Sequence, residues 1–245
     1  MCPYIHIILP SYAVLAFIGG FVTLFYVYTR LETYQIEFTE LLKLFLGVSI
    51  GVLVGSKLLF ALTQISWLAK HFTWENLLLL IPQSGFVFYG GLFGALIAIQ
   101  LVTRKRPVYR EKVYALLAPA FPLFHGFGRL GCFMAGCCYG KMLSSPIHIA
   151  SVVELDRIPI QLIEAGYEFG LFFLINYLGK HKKEWGGIRI YLLFYAVFRL
   201  VIEFWRGDEV RGIYFGLSTA QWISIGIIVY YMVKCFYRRI VKSGK

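Results

Sequence analysis

The chain has 245 residues, of which 59% are hydrophobic and only 15% charged, and it carries a formal net charge of +11. A soluble domain is nearer half apolar and a quarter charged, so this composition excludes an ordinary water-soluble globule. The positive charge does not make a nucleic-acid surface either, because no basic face alternates with exposed aromatics outside the apolar stretches.

Apolar stretches of about twenty residues, long enough to cross ~30 Å of hydrocarbon, recur between short charged loops. In chain order they predict membrane-spanning helices near residues 5–28, 41–62, 85–103, 113–127, 161–178, 188–204 and 216–236. An odd number of spans puts the termini on opposite sides. Lys and Arg concentrate in 104–112, 180–189 and the C-terminal tail, all on one side, whereas Lys70, Arg129, Lys141, Arg157, Arg206 and Arg211 fall on the other. The positive-inside rule therefore predicts an outward N-terminus and a cytoplasmic C-terminus. The first span lacks a preceding Lys or Arg and a small-residue cleavage pattern, so it is expected to be retained rather than removed as a signal peptide. The expected fold is an all-α polytopic transmembrane helix bundle of about seven spans, a single membrane domain over 1–245 with outward-facing segments at 63–84 and 128–159.

Small residues at helical spacing, Gly47, Gly51 and Gly55 in the second span and Gly90 with Gly94 in the third, predict close helix contact in lipid, with plain packing the favoured reading. Segment 128–159 opens Gly128-Arg129-Leu130-Gly131-Cys132 and continues through Gly136-Cys137-Cys138-Tyr139-Gly140, a run dense enough in glycine to turn tightly. Ionisable residues at bilayer depth cost ~2.5–3.5 kcal/mol each on insertion scales, so each needs a partner, a wet cavity or a ligand. The set here is Lys57, Glu164, Glu168, Arg199 and Glu203, with Arg129 and Arg206 at span ends. Arg199 and Glu203, four apart, share a helix face with Tyr195 and could pair. Two arginines and a tyrosine on such a face also suit a phospholipid head group, since guanidinium presents a planar fork to phosphate oxygens.

His125 with Cys132, Cys137 and Cys138 could in principle form a metal cluster. The gap from Cys132 to Cys137 is wider than the usual short zinc spacing and no second pair appears, so small-residue packing is the favoured reading of these thiols. A disulfide or a nucleophilic role remains open at this point.

Taken together, the order and spacing of these strings resemble the bacterial prolipoprotein diacylglyceryl transferases, multi-pass enzymes of the cytoplasmic (inner) membrane. The resemblance runs from Tyr12, through Gly55-Ser56-Lys57 and Phe86-Val87-Phe88-Tyr89-Gly90-Gly91-Leu92, to His125-Gly126-Phe127-Gly128-Arg129-Leu130-Gly131. It continues in Arg157-Ile158-Pro159-Ile160-Gln161-Leu162-Ile163-Glu164, Tyr195-Ala196-Val197-Phe198-Arg199, Glu203-Phe204-Trp205-Arg206, and Gly216-Leu217-Ser218 with Gln221. It implies transfer of the diacylglyceryl group of phosphatidylglycerol to the lipobox cysteine thiol of a secreted lipoprotein precursor, with no cofactor. By the same resemblance Arg129, Tyr195, Arg199 and Tyr89 are the expected catalytic residues. Tyr12, Lys57, Gly131, Cys132, Gly136, Cys137, Gly140, Gln161, Glu164, Glu203 and Arg206 are the expected substrate-binding positions.

The chain departs from the better-known members at three polar positions. Cys132 stands where they carry an asparagine, Cys137 where they carry a glutamate, and Tyr89 where they carry a histidine. Losing a carboxylate and an imidazole removes the obvious general bases, and a tyrosine of ordinary pKa near ~10 is a poor replacement at neutral pH. Two alternatives therefore stand beside the expectation: a related phospholipid-using transferase with a different acceptor, and a non-enzymatic lipid-binding membrane protein.

Overall fold

A computed structural model describes residues 4–5, 9–63, 73, 87–149, 153–181, 187–207 and 213–243. Of the outward segment expected at 63–84, only Thr63 and Thr73 fall within them. The described chain is predominantly helical: α1 Ser11–Tyr28, α2 Leu31–Tyr34, α3 Phe38–Thr63, α4 Phe88–Val102, α5 Pro107–Leu117, α6 Ala120–Ala135, α7 Ile160–His181, α8 Gly187–Ile202 and α9 Thr219–Ser243. Among the described residues, three helical stretches are long and apolar enough to cross a membrane, Ser11–Tyr28, Phe38–Thr63 and Thr219–Tyr237. Their outward faces are greasy. Phe17, Phe21 and Phe25 on α1, with Leu46, Val54 and Leu58 on α3, all point away from the protein interior, as lipid-facing side chains do.

Three expectations need correction. The first apolar stretch does not start as helix: Tyr4–Ile5 (β1) and Leu9–Pro10 (β2) pair antiparallel before α1 begins. The stretch 113–127 is not one helix but the end of α5 and the first half of α6, parted at Ala118-Pro119 because a proline has no N–H to continue the ladder. The third concerns the all-α expectation, through segment 128–159. It holds the last two turns of α6 and a hairpin, β3 Met142–Ile149 against β4 Val153–Arg157, whose register shifts between Met142 and Ile147, beside Pro146. With a third ladder, β5 Ile213–Tyr214 against β6 Leu217–Ser218, the protein is a helical fold with small β ribbons rather than strictly all-α.

The chain divides into two compact units, one of residues 1–30 and 114–245, the other of 31–113. In the first, α1 packs on α6, α6 on α7, and α8 on α9. α9 starts with a capping box: Gln221 N–H donates to Ser218 Oγ at 3.2 Å and Ser218 N–H donates to Gln221 Oε1 at 2.9 Å. The Gln221 amide also donates to the Leu200 carbonyl at 3.3 Å, tying α9 to α8.

In the second unit, α3 and α4 meet as their glycine spacing predicts. A Cβ on Gly94 would lie 1.9 Å from the Gly51 carbonyl oxygen, and one on Gly55 would lie 2.2 Å from that of Gly90. The two backbones touch, and nothing flexible can give way. Gly94→Ala is therefore expected to lower the thermal unfolding midpoint in detergent, since overpacking costs about 1–3 kcal/mol and here meets backbone. The control is Gly170→Ala on α7, where a Cβ meets nothing within 4 Å. That change should be neutral or slightly stabilising. Equal melting shifts in the two variants would contradict the contact.

Candidate active site

The polar residues of the first unit converge because three helices each set them one turn apart on the buried face. On α6, Pro122, His125, Gly126 and Arg129 form one stripe. Gly126 lies so close to α7 that a Cβ would sit 2.7 Å from the Phe169 ring, which draws that stripe against its neighbour. On α7 the stripe is Gln161, Glu164 and Glu168, and on α8 it is Tyr191, Tyr195 and Arg199, continued by Glu203 in the 3-10 turn Glu203–Trp205.

An ionic chain links the three stripes. Glu164, 2% exposed, bridges both arginines: Oε2 lies 3.1 Å from Arg129 Nε, and Oε1 accepts from Arg199 Nη1. Arg199 Nη2 meets Glu203 Oε2 at 2.7 Å. Arg129 Nε also donates to His125 Nε2 at 3.2 Å, so the imidazole proton belongs on Nδ1, which faces Glu168 Oε1 at 2.9 Å. The His125 ring meets Tyr195 edge to face at 5.4 Å. The outcome differs between the two arginines. Both Nη groups of Arg199 hold carboxylates, whereas the contacts of Arg129 among the described residues use Nε and leave its Nη edge available.

Beside this chain lies a thiol trio. α6 ends at Gly136, whose left-handed backbone (φ 72°) closes the helix, with Gly136 N–H donating to Phe133 O and Cys137 N–H to Cys132 O, both at 3.1 Å. Cys138 is itself left-handed, φ 57°. The sulfurs of Cys132, Cys137 and Cys138 lie within 4.8 Å of one another, and none is in a disulfide. The Gln161 amide donates to the Cys137 carbonyl at 2.6 Å, fixing the loop to α7. Gly140 bridges Arg206, with Lys141 N–H donating to Trp205 O at 2.9 Å and Gly207 N–H to Tyr139 O at 3.0 Å. Buried Arg206 is thus brought to the same loop. Contacts from the Cys132 and Cys137 thiols, then the cations of Arg129 and Arg206, pull the Cys138 thiol below its ordinary range.

Residues 4–237 match the model of the family described as prolipoprotein diacylglyceryl transferase. The chain belongs to that family. It is 35% identical over 187 residues to a Clostridium tetani protein named phosphatidylglycerol–prolipoprotein diacylglyceryl transferase, covering 74% of this chain and 73% of that protein. It is 30% identical over 239 residues to a Helicobacter pylori protein of the same name, covering 88% and 85% respectively.

Of the residues singled out from the sequence, Arg129, Tyr195, Arg199, Gln161, Glu164, Glu203 and Arg206 are buried in the first unit of this transferase-family chain. Gly131 packs on α1, where a Cβ would touch the Tyr12 ring at 3.0 Å; Tyr12 itself is 42% exposed. Gly136 shapes the thiol loop. Gly140 is obligatory, since a Cβ would sit 2.5 Å from the Ile158 carbonyl oxygen. Tyr89 and Lys57 belong to the second unit, where Tyr89 is buried and stacked on Phe93 at 6.0 Å. His125 and Glu168 are members of the ionic chain that sequence reasoning left out of the site. The i, i+4 pairs His125/Arg129 and Glu164/Glu168 were the available signal.

Removing one partner of a buried ion pair costs about 3–5 kcal/mol, because the other charge is left uncompensated. Glu164→Ala, which leaves Arg129 without its carboxylate and Arg199 with Glu203 alone, should cost about that, and Glu164→Gln less. Glu164→Ala combined with Arg129→Leu should recover part of the loss. Urea or thermal unfolding of the three variants in detergent measures this, and a double variant no more stable than Glu164→Ala would show that the bridge does not couple the helices.

Proposed function

We propose that this chain is a multi-pass enzyme of the bacterial cytoplasmic membrane that transfers the diacylglyceryl group of phosphatidylglycerol to the lipobox cysteine thiol of secreted lipoprotein precursors. The names of its relatives state both donor and acceptor. The observation that carries the reading is the buried arginine pair bridged by Glu164, with the Nη edge of Arg129 left to meet an anion. We read the whole chain as one membrane-embedded transferase domain, since the family match runs without a break through both units.

In the reaction the acceptor sulfur forms a bond to a glycerol carbon of the lipid while the bond from that carbon to phosphate oxygen breaks. Glycerol phosphate departs with the electron pair, and the thiol proton is given up. The developing charge is on the phosphate, so a preorganised guanidinium in a dry setting is the most effective stabiliser. Arg129 takes that role in our reading. His125 accepts from Arg129 Nε and so orients the guanidinium, and Arg199 positions Glu164 and Glu203 on the other side. Tyr195 packs against His125 and holds the face of that ring.

We further propose seven spans with the N-terminus outside. Basic residues gather at 104–112 and in the C-terminal tail, as cytoplasmic segments do. The β5–β6 turn Phe215-Gly216, before α9, presents Phe215 almost fully to the surroundings, an aromatic tip suited to the lipid interface.

Expression in a strain depleted of its own transferase should restore lipoprotein mobility. Arg129→Lys should lower transfer about 10–150-fold, the worth of a charge-assisted hydrogen bond, because a point charge cannot reproduce the fork. Full activity of Arg129→Lys at low donor concentration would refute the phosphate contact. For topology, Lys105→Cys in a background lacking native cysteines should resist an impermeant thiol reagent in intact cells. Labelling from outside would invert the orientation and place the site on the wrong face.

A further inference from the structure

The reaction above uses none of the three thiols that meet beside it. Consecutive side chains in extended backbone point to opposite sides, so Cys137 and Cys138 would ordinarily diverge. They do not, because Cys138 is left-handed (φ 57°), a conformation that costs a non-glycine residue about 1–2 kcal/mol and turns its Cβ back toward its neighbours. Left-handed Gly136 folds the same loop back over the last turn of α6, where Cys132 sits. Two unusual backbone positions in three residues thus bring three sulfurs within 4.8 Å of one another.

We propose that Cys132, Cys137 and Cys138 form a three-thiolate site for a soft, thiophilic d10 cation, Cu(I) or Zn(II).

A metal at about 2.3 Å from each of three sulfurs separates those sulfurs by about 4 Å, a spacing the trio reaches with side-chain adjustment alone. Thiolate is the ligand class that selects Cu(I) and Zn(II) over harder ions. Binding replaces three S–H bonds with three metal–sulfur bonds and releases three protons, and no electron moves. The resulting complex is anionic with either ion. Arg129 and Arg206 are the cations that bear on Cys138, so that charge is met by groups already in place. The surrounding contacts match what metal loops require: the Cys137 carbonyl accepts from Gln161 Nε2 at 2.6 Å, and Cys137 N–H donates to Cys132 O at 3.1 Å. Cys137 is exposed, which gives an ion a route in. His125 is not a ligand, since both its ring nitrogens face Arg129 and Glu168.

The test uses the full-length protein, reduced and purified in detergent, titrated separately with Cu(I) against a competing chelator and with Zn(II) against a chromogenic one. One ion per chain is expected by native mass spectrometry, with a thiolate-to-metal charge-transfer band in the ultraviolet for Cu(I). Cys132→Ser, Cys137→Ser and Cys138→Ser should each weaken binding by at least about 10–100-fold, the scale known for lesser disturbances of metal sites. Cys235→Ser should leave binding unchanged. Three-cysteine dependence with either ion supports the site. Equal affinity in wild type and the triple serine variant, or a wild type isolated two mass units light with a disulfide and no metal after reduction, overturns it. Should the serine variants fail to fold, X-ray absorption of the loaded wild type decides: three sulfur neighbours near 2.3 Å support the site, and a shell of nitrogen and oxygen ends it.

Discussion

Glu164 holds two arginines that come from different helices, and the arrangement of the first unit follows from that. A guanidinium removed from water must recover several kcal/mol of lost hydration, and it does so only with a partner in good geometry. Arg129 on α6 and Arg199 on α8 carry like charges, which repel. One carboxylate on α7, offering Oε2 to the first and Oε1 to the second, turns that repulsion into a three-helix link. Its reach is short, so the rotation of each of the three helices about its axis is fixed to within a fraction of a turn. Glu203 and the His125–Glu168 pair extend the link at both ends.

Such a network tolerates little error in helix spacing, and small residues supply the tolerance. Gly126 lets α6 approach the Phe169 ring, and Gly140 and Gly207 let the chain after α6 and the chain after α8 run against each other, backbone to backbone. In the second unit the same device works without charge, through Gly51, Gly55, Gly90 and Gly94. Helices in lipid gain little from hiding apolar surface from one another, since lipid is as apolar as they are. Close contact and polar links are what remain to hold them, and each unit relies on one of the two more than the other.

Much of this is legible in the sequence for physical reasons, and some is not. The glycine spacing in α3 and α4 encodes contact directly, because only glycine permits it. The pairing of Arg199 with Glu203 follows from helical periodicity. Periodicity cannot say which helix faces which, so the bridge from Glu164 to Arg129 and Arg199 was invisible: it joins residues 35 apart on one side and crosses the β3–β4 hairpin on the other. The same blindness hid His125 and Glu168. The stretch 113–127 looked like a single span because hydropathy averages over Pro119, whose effect on a helix is local. Spacing along the chain does not show that the three sulfurs meet, because a left-handed Cys138 folds a wide gap into a narrow one.

That trio sits against the ionic chain through Gln161 and Arg206, and the placement has a physical consequence. Gln161 is one turn before Glu164 on the same face of α7, and its amide holds the Cys137 carbonyl. Arg206 follows Glu203 by one turn and lies where the segment after α8 bridges Gly140. Any change in the geometry of the thiol loop therefore acts on the two helices that present Glu164 and Glu203, and so on the carboxylates that hold Arg199 and flank Arg129. A rigid loop keeps those carboxylates in register. A loop pulled by a change at its sulfurs would shift them, and the arginine with its Nη edge unoccupied is the one whose orientation depends most on its neighbours. The coupling needs no conformational switch elsewhere. It follows from two hydrogen-bonded anchors lying within one helical turn of the charges they support.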